Sequence, residues 1–329
     1  MKPELAEIVF SIRNDEEFES TALGIFRMQA SSNMVYREYI SHLGIDPGSV
    51  TGVEQIPFLP IEFFKSHKVI TGPDGEFSYF ESSGTTGSDT SRHYVIDLQV
   101  YNRSFTSCFR HFFGDPAEYF FAALLPSYLG RPNSSLVYMA AELIRMSSDR
   151  RSSFYLDNTE TMLSVIRQVK SEGKKAMLIG VTFALLDLAE NHHPDLSDVI
   201  VTETGGMKGR RKEIIREELH TILSERLNIK SVYSEYGMTE LLSQAWSKGG
   251  GVFLTPPWMK IRLREVNDPF SAVSQPGVTG GINIIDLANY NSCSFIATGD
   301  LGRLTPEGGF EVLGRFGNSD LRGCNLLVQ

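Results

Sequence analysis

The sequence predicts an α/β protein, with parallel sheets flanked by helices and a smaller β-rich subdomain, on three observations. Runs of strand length alternate with segments of helical periodicity through the middle of the chain. Those runs are apolar nearly throughout, as strands buried on both faces must be. After Tyr236 the rhythm changes to short strands separated by Gly and Pro turns. The 329 residues suffice for about two domains at ~150 residues each, and a hydrophobic content of 41% can fill their cores.

Taken in order, Phe18, Ala22, Ile25 and Phe26 fall at helical spacing, and Ile56-Pro57-Phe58-Leu59-Pro60 is an irregular, proline-punctuated stretch. A strand is expected over Phe77 to Phe80 and another over His93 to Ile96, with Asp97 capping a helix that buries Leu98, Tyr101, Phe105, Phe109 and Phe112. The alternating region then reads as strand 119–125, helix 159–170 stopped near Gly173, strand 176–181, helix 183–190, strand 199–204, helix 209–227 with Ile215, Leu219 and Ile222 on one stripe, and strand 230–233. Short strands follow at 261–266, 281–286, 294–297 and 310–313. Four segments result: a helical entry segment of the core (1–75), the α/β sheet core (76–235), a β-rich subdomain that completes it (236–315) and a tail (316–329). No internal repeat is present.

Lys and Arg number 31 against 40 Asp and Glu, a net charge of −9, which argues against binding nucleic acid or a membrane surface and for small molecules or proteins as partners. Gly (29) and Pro (14) are at ordinary levels, which excludes collagen-like and low-complexity chains. Cys108, Cys293 and Cys324 are widely spaced with no Cys-x-x-Cys, so neither a disulfide framework nor a cysteine zinc site is expected, and a reducing cytoplasm suits them. Glu4 and Glu7 interrupt the apolar stretch a signal peptide needs, so the mature chain is expected to begin near Met1. The longest apolar run, Tyr119 to Leu125, stops at Pro126, far short of the roughly 20 residues of a membrane helix.

Ser82-Ser83-Gly84-Thr85-Thr86-Gly87-Ser88 is the strongest local signal. Hydroxyls and unhindered N–H groups on consecutive residues make a concave donor surface for phosphate oxygens, although a flexible hairpin loop has the same composition. A Walker A loop does not fit, because no Gly-Lys-Ser/Thr is present and a strand rather than a helix follows. Tyr236-Gly237-Met238-Thr239-Glu240 follows a predicted strand of the parallel sheet, where open α/β folds place ligands. Its aromatic face can stack on a base, its threonine can reach a phosphate and its carboxylate can hold Mg²⁺; a plain turn at Gly237 is the alternative. Asp300 in Thr298-Gly299-Asp300 can accept from two ribose hydroxyls, and Arg315 can add a cation, where ordinary turn and surface roles are the alternatives.

These motifs, with Gly205-Gly206, occur in the order and rough spacing of the adenylate-forming enzymes, and the chain resembles that superfamily. The segment Ile56 to Val69 and the ending Ser319-Asp320-Leu321-Arg322-Gly323-Cys324-Asn325 are similar to the acyl-protein synthetases of bacterial bioluminescence, so that the resemblance runs from about Pro57 to Asn325. It implies the N-terminal domain of an adenylate-forming enzyme, with the mobile C-terminal domain largely absent. The implied activity is ATP-dependent activation of a carboxylic acid, a fatty acid foremost, as acyl-AMP. Residues 82–88 would fold over the phosphates, Gly205, Gly206 and Tyr236 would frame the adenine, Thr239 would touch the α-phosphate, Glu240 would hold Mg²⁺, and Asp300 would take the ribose hydroxyls beside Arg315.

Two departures stand out. The loop lacks the usual Pro-Lys, so a cation over the pyrophosphate would be Arg92 or come from elsewhere, and with only five residues of this sequence after Cys324 the family's catalytic lysine is expected to be missing. Slower adenylation is the expected result. Cys324, beside Arg322, can hold the acyl group as a thioester for transfer to an acceptor protein, a reductase or a carrier. The nine residues from Arg315 to Cys324 span at most ~30 Å, enough to cross a cleft.

Cys108 and Cys293 read as core residues, and His67, His111, His192 and His193 as residues without metal chemistry. Lys208, Arg210, Arg211 and Lys212 read as a solvated helix face. Which of Phe109, Phe112, Phe121, Leu125, Tyr128 and Trp246 line the cleft would set the acid accepted. An acyl- or aryl-CoA ligase is the nearest alternative function, and a non-catalytic nucleotide- or acid-binding module is an alternative of another class.

Overall fold

The strand Tyr119–Leu124 is buried along its whole length within the parallel layer. The computed structural model describes residues 2–82, 90–126, 133–156, 158–205 and 214–316. They fall into two compact units whose segments alternate along the chain: Met1–Phe105, Met238–Gln244 and Leu254–Gln329 form one, Thr106–Gly237 and Ala245–Phe253 the other. The boundaries at 75, 235 and 315 expected from the sequence divide the chain in order, whereas the compact units interleave.

In the second unit six strands lie in the order Ser153–Phe154, Tyr119–Leu124, Lys175–Val181, Val199–Thr204, Tyr233–Tyr236 and Ala245–Ser247. The first five run parallel and the last antiparallel. Helices Ser135–Met146, Thr159–Ser171, Thr182–Asn191 and Arg216–Leu227 belong to the same unit. Helix Thr159–Ser171 starts where the Asn158 side chain accepts from Thr161 N, buries Met162, Leu163, Ile166 and Val169 at helical spacing, and ends before Gly173, whose φ of +69° reverses the chain. Phe109 packs its ring against Phe121 at 5.6 Å and Phe113 packs against Trp246 at 4.9 Å, so these aromatics are core; Tyr128 lies outside the described residues.

Three expectations need correction here. The last helix begins at Arg216, because Ile215 is an extended, exposed N-cap; Leu219, Leu223 and Leu227 form the buried stripe in place of Ile215, Leu219 and Ile222. The strand expected over 230–233 runs over Tyr233–Tyr236, where pairing with Thr202 to Thr204 begins, so Tyr236 is its last residue. Helix Ser135–Met146 went unpredicted, although Ser134 caps it by accepting from Val137 N and Met139, Ala140 and Leu143 form its buried face.

In the first unit an antiparallel sheet runs Phe310–Arg315, Phe295–Leu304, Thr279–Asp286, Met259–Arg264 and Ala272–Val273, with Leu59–Pro60 pairing parallel to Phe295–Leu304. The strand expected over 294–297 is longer and carries Thr298 to Asp300 within it. Those three residues bulge opposite Ile282, since Gly281 pairs with Leu301 and Asn283 with Ala297. Helices Lys2–Ser11, Asp15–Ser32 and Met34–His42 precede the sheet in sequence. Helix Leu98–Phe113 starts in this unit, where Asp97 accepts from Gln99 N as its cap, and ends in the other.

Polar anchors join distant segments of this unit. Gln29 is fully buried; its amide donates to the carbonyls of Asn289, Tyr290 and Ser292 and accepts from Ser294 N. Tyr36 and Tyr39 donate to the carbonyls of Pro57 and Phe58, which fixes the proline-rich stretch. Asp286, also fully buried, accepts from Leu242 N, Ser243 N, Ser243 Oγ and Ala288 N at 2.6–3.2 Å. Cys108 and Cys293 are buried free thiols, and burial pushes Cys293 up to about 12. Among the described residues no helix is long and apolar enough to cross a membrane.

Asp286→Ala removes one acceptor from four donors, three of them buried main-chain N–H groups. The expected loss is about 3–5 kcal/mol, read as a lower urea midpoint, with Asp286→Asn losing less because its amide oxygen still accepts.

Candidate functional site

Strands Ser78–Glu81 and Arg92–Val95 form a hairpin in register from Ser78↔Val95 to Glu81↔Arg92. At its tip Ser82 N donates to Ser91 O at 3.0 Å and Ser91 N donates to Ser82 Oγ at 2.9 Å, which closes a neck. Ser82 is the one member of the hydroxyl-rich loop that is described; Ser83, Gly84, Thr85, Thr86, Gly87 and Ser88 lie outside the described residues.

The Ser91 side chain hydrogen-bonds the carboxyl of Glu240, a residue only 5% exposed. Burial pushes the Glu240 carboxyl above its ordinary range and the charge of Asp300 adds to the push; Ser91 and the charge of Arg315 oppose it. Asp300 comes from the strand bulge and is itself buried, its N–H held by Thr298 Oγ1 at 3.1 Å. Asp300 and Arg315 are cross-strand partners, and Arg315 Nε donates to Asp300 Oδ1 at 3.1 Å from a side chain 77% exposed. A buried carboxylate pair, near enough to feel one another's charge and flanked by the solvated guanidinium of Arg315 and the half-buried one of Arg264, forms a site that favours a cation or hydroxyl donors.

Thr239 is held through its main chain, where its carbonyl lies 2.8 Å from His93 Nδ1. Asn289 Nδ2 donates to the Glu240 carbonyl at 2.8 Å. Arg92, the cation considered for pyrophosphate, is engaged elsewhere: its Nε donates to Glu81 Oε1 at 3.1 Å and its guanidinium lies 5.2 Å from the centre of the Tyr79 ring. Sequence reasoning passed over Ser91, His93 and Asn289. The one available signal was the position of Ser91 just before, and His93 on, the strand leaving the loop; Asn289 lies in a short turn, Leu287–Asn289, without a recognisable motif.

The remaining described candidates belong to the other unit. Gly205 ends the strand Val199–Thr204 with φ of +75°, a conformation that favours glycine, and Tyr236 ends the neighbouring parallel strand with its ring 5.8 Å from Phe253. Both therefore lie at carboxyl ends of parallel strands. Thr204 Oγ1 donates to Glu235 Oε2, and Glu203 accepts from Thr182 Oγ1 with His220 Nε2 at 3.8 Å and Arg216 Nε at 3.9 Å. Gly206 and Cys324 lie outside the described residues, as do Lys208, Arg210, Arg211 and Lys212. His192 pairs with Glu160 at 3.1 Å. Among the described residues no group of three or more His, Cys, Asp or Glu is arranged to hold a metal. Glu240 nonetheless fits Mg²⁺, which needs only one or two carboxylates when phosphates and water supply the other oxygens, and a cation there would relieve the raised proton affinity of its buried carboxyl.

Burial pushes the Glu235 carboxyl from an ordinary 4.5 up to about 7, with the charge of Glu203 adding to the rise. The folded protein therefore holds this proton more tightly than the unfolded chain. Its contribution to stability is complete below about 4.5 and is lost as pH rises toward about 7, with a slope of up to ~1.4 kcal/mol per pH unit. Glu235→Gln, which keeps an acceptor for Thr204, is expected to flatten that part of the pH–stability curve in urea titrations.

No family model and no curated protein matches the sequence. Solved structures do match. ATP-bound MatB from Rhodopseudomonas palustris is similar at a TM-score of 0.52 and 15% identity, over 74% of this chain and 50% of that one. An ATP-bound RpMatB-BxBclM chimera is similar at 0.53 and 17%, over 74% and 49%. Malonyl-CoA ligase in a ternary product complex with methylmalonyl-CoA and AMP is similar at 0.51 and 16%, over 75% and 56%. The chain spans about half the length of these structures, and at such identities the likeness is one of fold.

Proposed function

We propose that the protein activates a carboxylic acid with ATP. A carboxylate oxygen attacks the α-phosphorus, pyrophosphate leaves, and the acyl adenylate then passes its acyl group to a thiol with release of AMP. The observation that carries this reading is the buried Glu240–Asp300 pair, joined through Ser91 to the neck of the hydroxyl-rich loop and backed by Arg315. The fold shared with ATP- and AMP-bound ligases supports it.

In this reading Asp300 accepts from the ribose hydroxyls, with Arg315 holding its second face. Thr239 reaches the α-phosphate, residues 82–88 cover the phosphates, and Gly205, Gly206 and Tyr236 frame the adenine, roles that rest on the motif resemblance. Glu240 would hold Mg²⁺, which when bound neutralises charge on the phosphate oxygens. The protein's own part in the chemistry is orientation: Ser91 aims the Glu240 carboxyl, and the strand bulge aims Asp300.

Coenzyme A is the thiol acceptor that the neighbours favour, since one of them holds methylmalonyl-CoA beside AMP. The Arg322-Gly323-Cys324-Asn325 ending favours a second reading, an acyl-protein synthetase in which the Cys324 thiolate takes a fatty acyl group as a thioester and delivers it to a reductase or carrier protein. A cytoplasmic setting suits either acceptor.

Exchange of labelled pyrophosphate into ATP, run across short, long and aromatic acids, tests the activation step; ATP binding without exchange for every acid would overturn it in favour of a binding module. Glu240→Gln is expected to lower exchange by about 100-fold. Asp300→Ala should raise the KM for ATP at least ~10-fold as two charged hydrogen bonds to the ribose are lost. Acyl-CoA release that persists in Cys324→Ala supports the coenzyme A reading, whereas acyl label retained on the protein and lost in that variant supports the second.

A further inference from the structure

Glu240 is held at three points, only one of which is its own side chain. Ser91 immediately precedes the strand Arg92–Val95 and His93 is its second residue, and both side chains are buried. Ser91 takes the Glu240 carboxyl, His93 Nδ1 lies 2.8 Å from the Thr239 carbonyl, and Asn289 Nδ2 donates to the Glu240 carbonyl. The last two hold the peptide units on either side of the Glu240 Cα.

The chemistry of these partners is constrained. Asn289 Nδ2 donates to two carbonyls, Glu240 O at 2.8 Å and Cys293 O at 2.9 Å, which fixes its amide orientation and turns Oδ1 toward His93 Nε2, 2.9 Å away. The His93 ring therefore stands between two acceptors. It is 1% exposed, meets the edge of the Phe64 ring at 5.8 Å, and is kept neutral by burial, which pushes its pKa down to about 4. The single N–H of the neutral ring can donate to only one of the two, and a histidine buried this way is placed to orient a neighbour rather than to exchange protons with solvent.

We propose that His93 and Asn289 are a pair of positioning residues that lock the Thr239–Glu240 main chain, with the ring proton on Nδ1, and thereby set how well the Glu240 carboxylate holds its cation. The metal half of this inference rests on the proposed role of Glu240; the hold on the main chain does not. His93→Phe keeps an aromatic ring beside Phe64 and removes both nitrogens, whereas His93→Gln keeps an N–H donor. In acid-dependent pyrophosphate exchange, His93→Phe is expected to raise the Mg²⁺ concentration at half-maximal rate about tenfold, leave ATP affinity without Mg²⁺ unchanged in calorimetry, and be partly rescued by His93→Gln. An unchanged Mg²⁺ dependence in His93→Phe overturns the inference.

A second measurement needs no variant and no activity. Long-range ¹H–¹⁵N spectra of the wild-type imidazoles should show the His93 proton on Nδ1, and a bare Nδ1 overturns the hold on Thr239. If the wild type exchanges pyrophosphate with no acid, the adenylation reading and the metal half fall together, while the ring resonance still decides the hold on the main chain.

Discussion

Asp286 is the constraint on which the first unit depends. Its Oδ2 takes two consecutive main-chain N–H groups of the Met238–Gln244 segment, and its Oδ1 takes the Ser243 hydroxyl and Ala288 N. Ser243 Oγ also receives Trp258 Nε1 at 2.9 Å and lies 3.0 Å from Ser104 Oγ. A short segment with no secondary structure of its own is thus pinned to the sheet by one carboxylate whose charge is compensated solely by hydrogen-bond donors. Burial pushes this carboxyl up even with four donors on it, which measures how much desolvation that network offsets. Glu240 is positioned as a result, since it lies two residues before the first of those N–H groups.

Two of the buried acids of this unit, Asp286 and Glu240, work differently. Asp286 is saturated with donors and is structural, whereas Glu240 has Ser91 and the distant charge of a solvated arginine set against the charge of Asp300. A pair of buried acids at the base of a hydroxyl-rich loop, the charge of one raising the proton affinity of the other, is the pattern of a ligand site.

The sequence made the architecture legible wherever one physical signal dominated. Strand Val199–Thr204 and helices Thr159–Ser171 and Thr182–Asn191 follow from buried apolar runs and helical periodicity within a residue or two. The start of the last helix was misread because a charged stretch carries no information about where φ and ψ turn helical, and Ile215 proved extended. The bulge at Thr298 to Asp300 was invisible because it arises from a register mismatch between two strands, which no local pattern encodes. The proximity of Asp300 to Arg315 was readable as motif order, whereas Ser91, His93 and Asn289 were not: the contacts that tie His93 and Asn289 to Thr239, Glu240 and each other span 49 to 196 residues of sequence, and Ser91 likewise acts through a residue distant in sequence.

The anchors of the N-terminal helices have a consequence for biosynthesis. Gln29 meets its carbonyl partners 260 to 263 residues further along the chain, and Asn33 donates to Ser292 O across 259. At ribosomal rates of ~5–20 residues per second, the helix Asp15–Ser32 emerges roughly 13 to 50 s before the turn that will cover it. During that wait the apolar face formed by Phe18, Ala22, Ile25 and Phe26 has no sheet to dock on, so the nascent chain offers a chaperone a sticky target well before the β-strands that complete the unit exist.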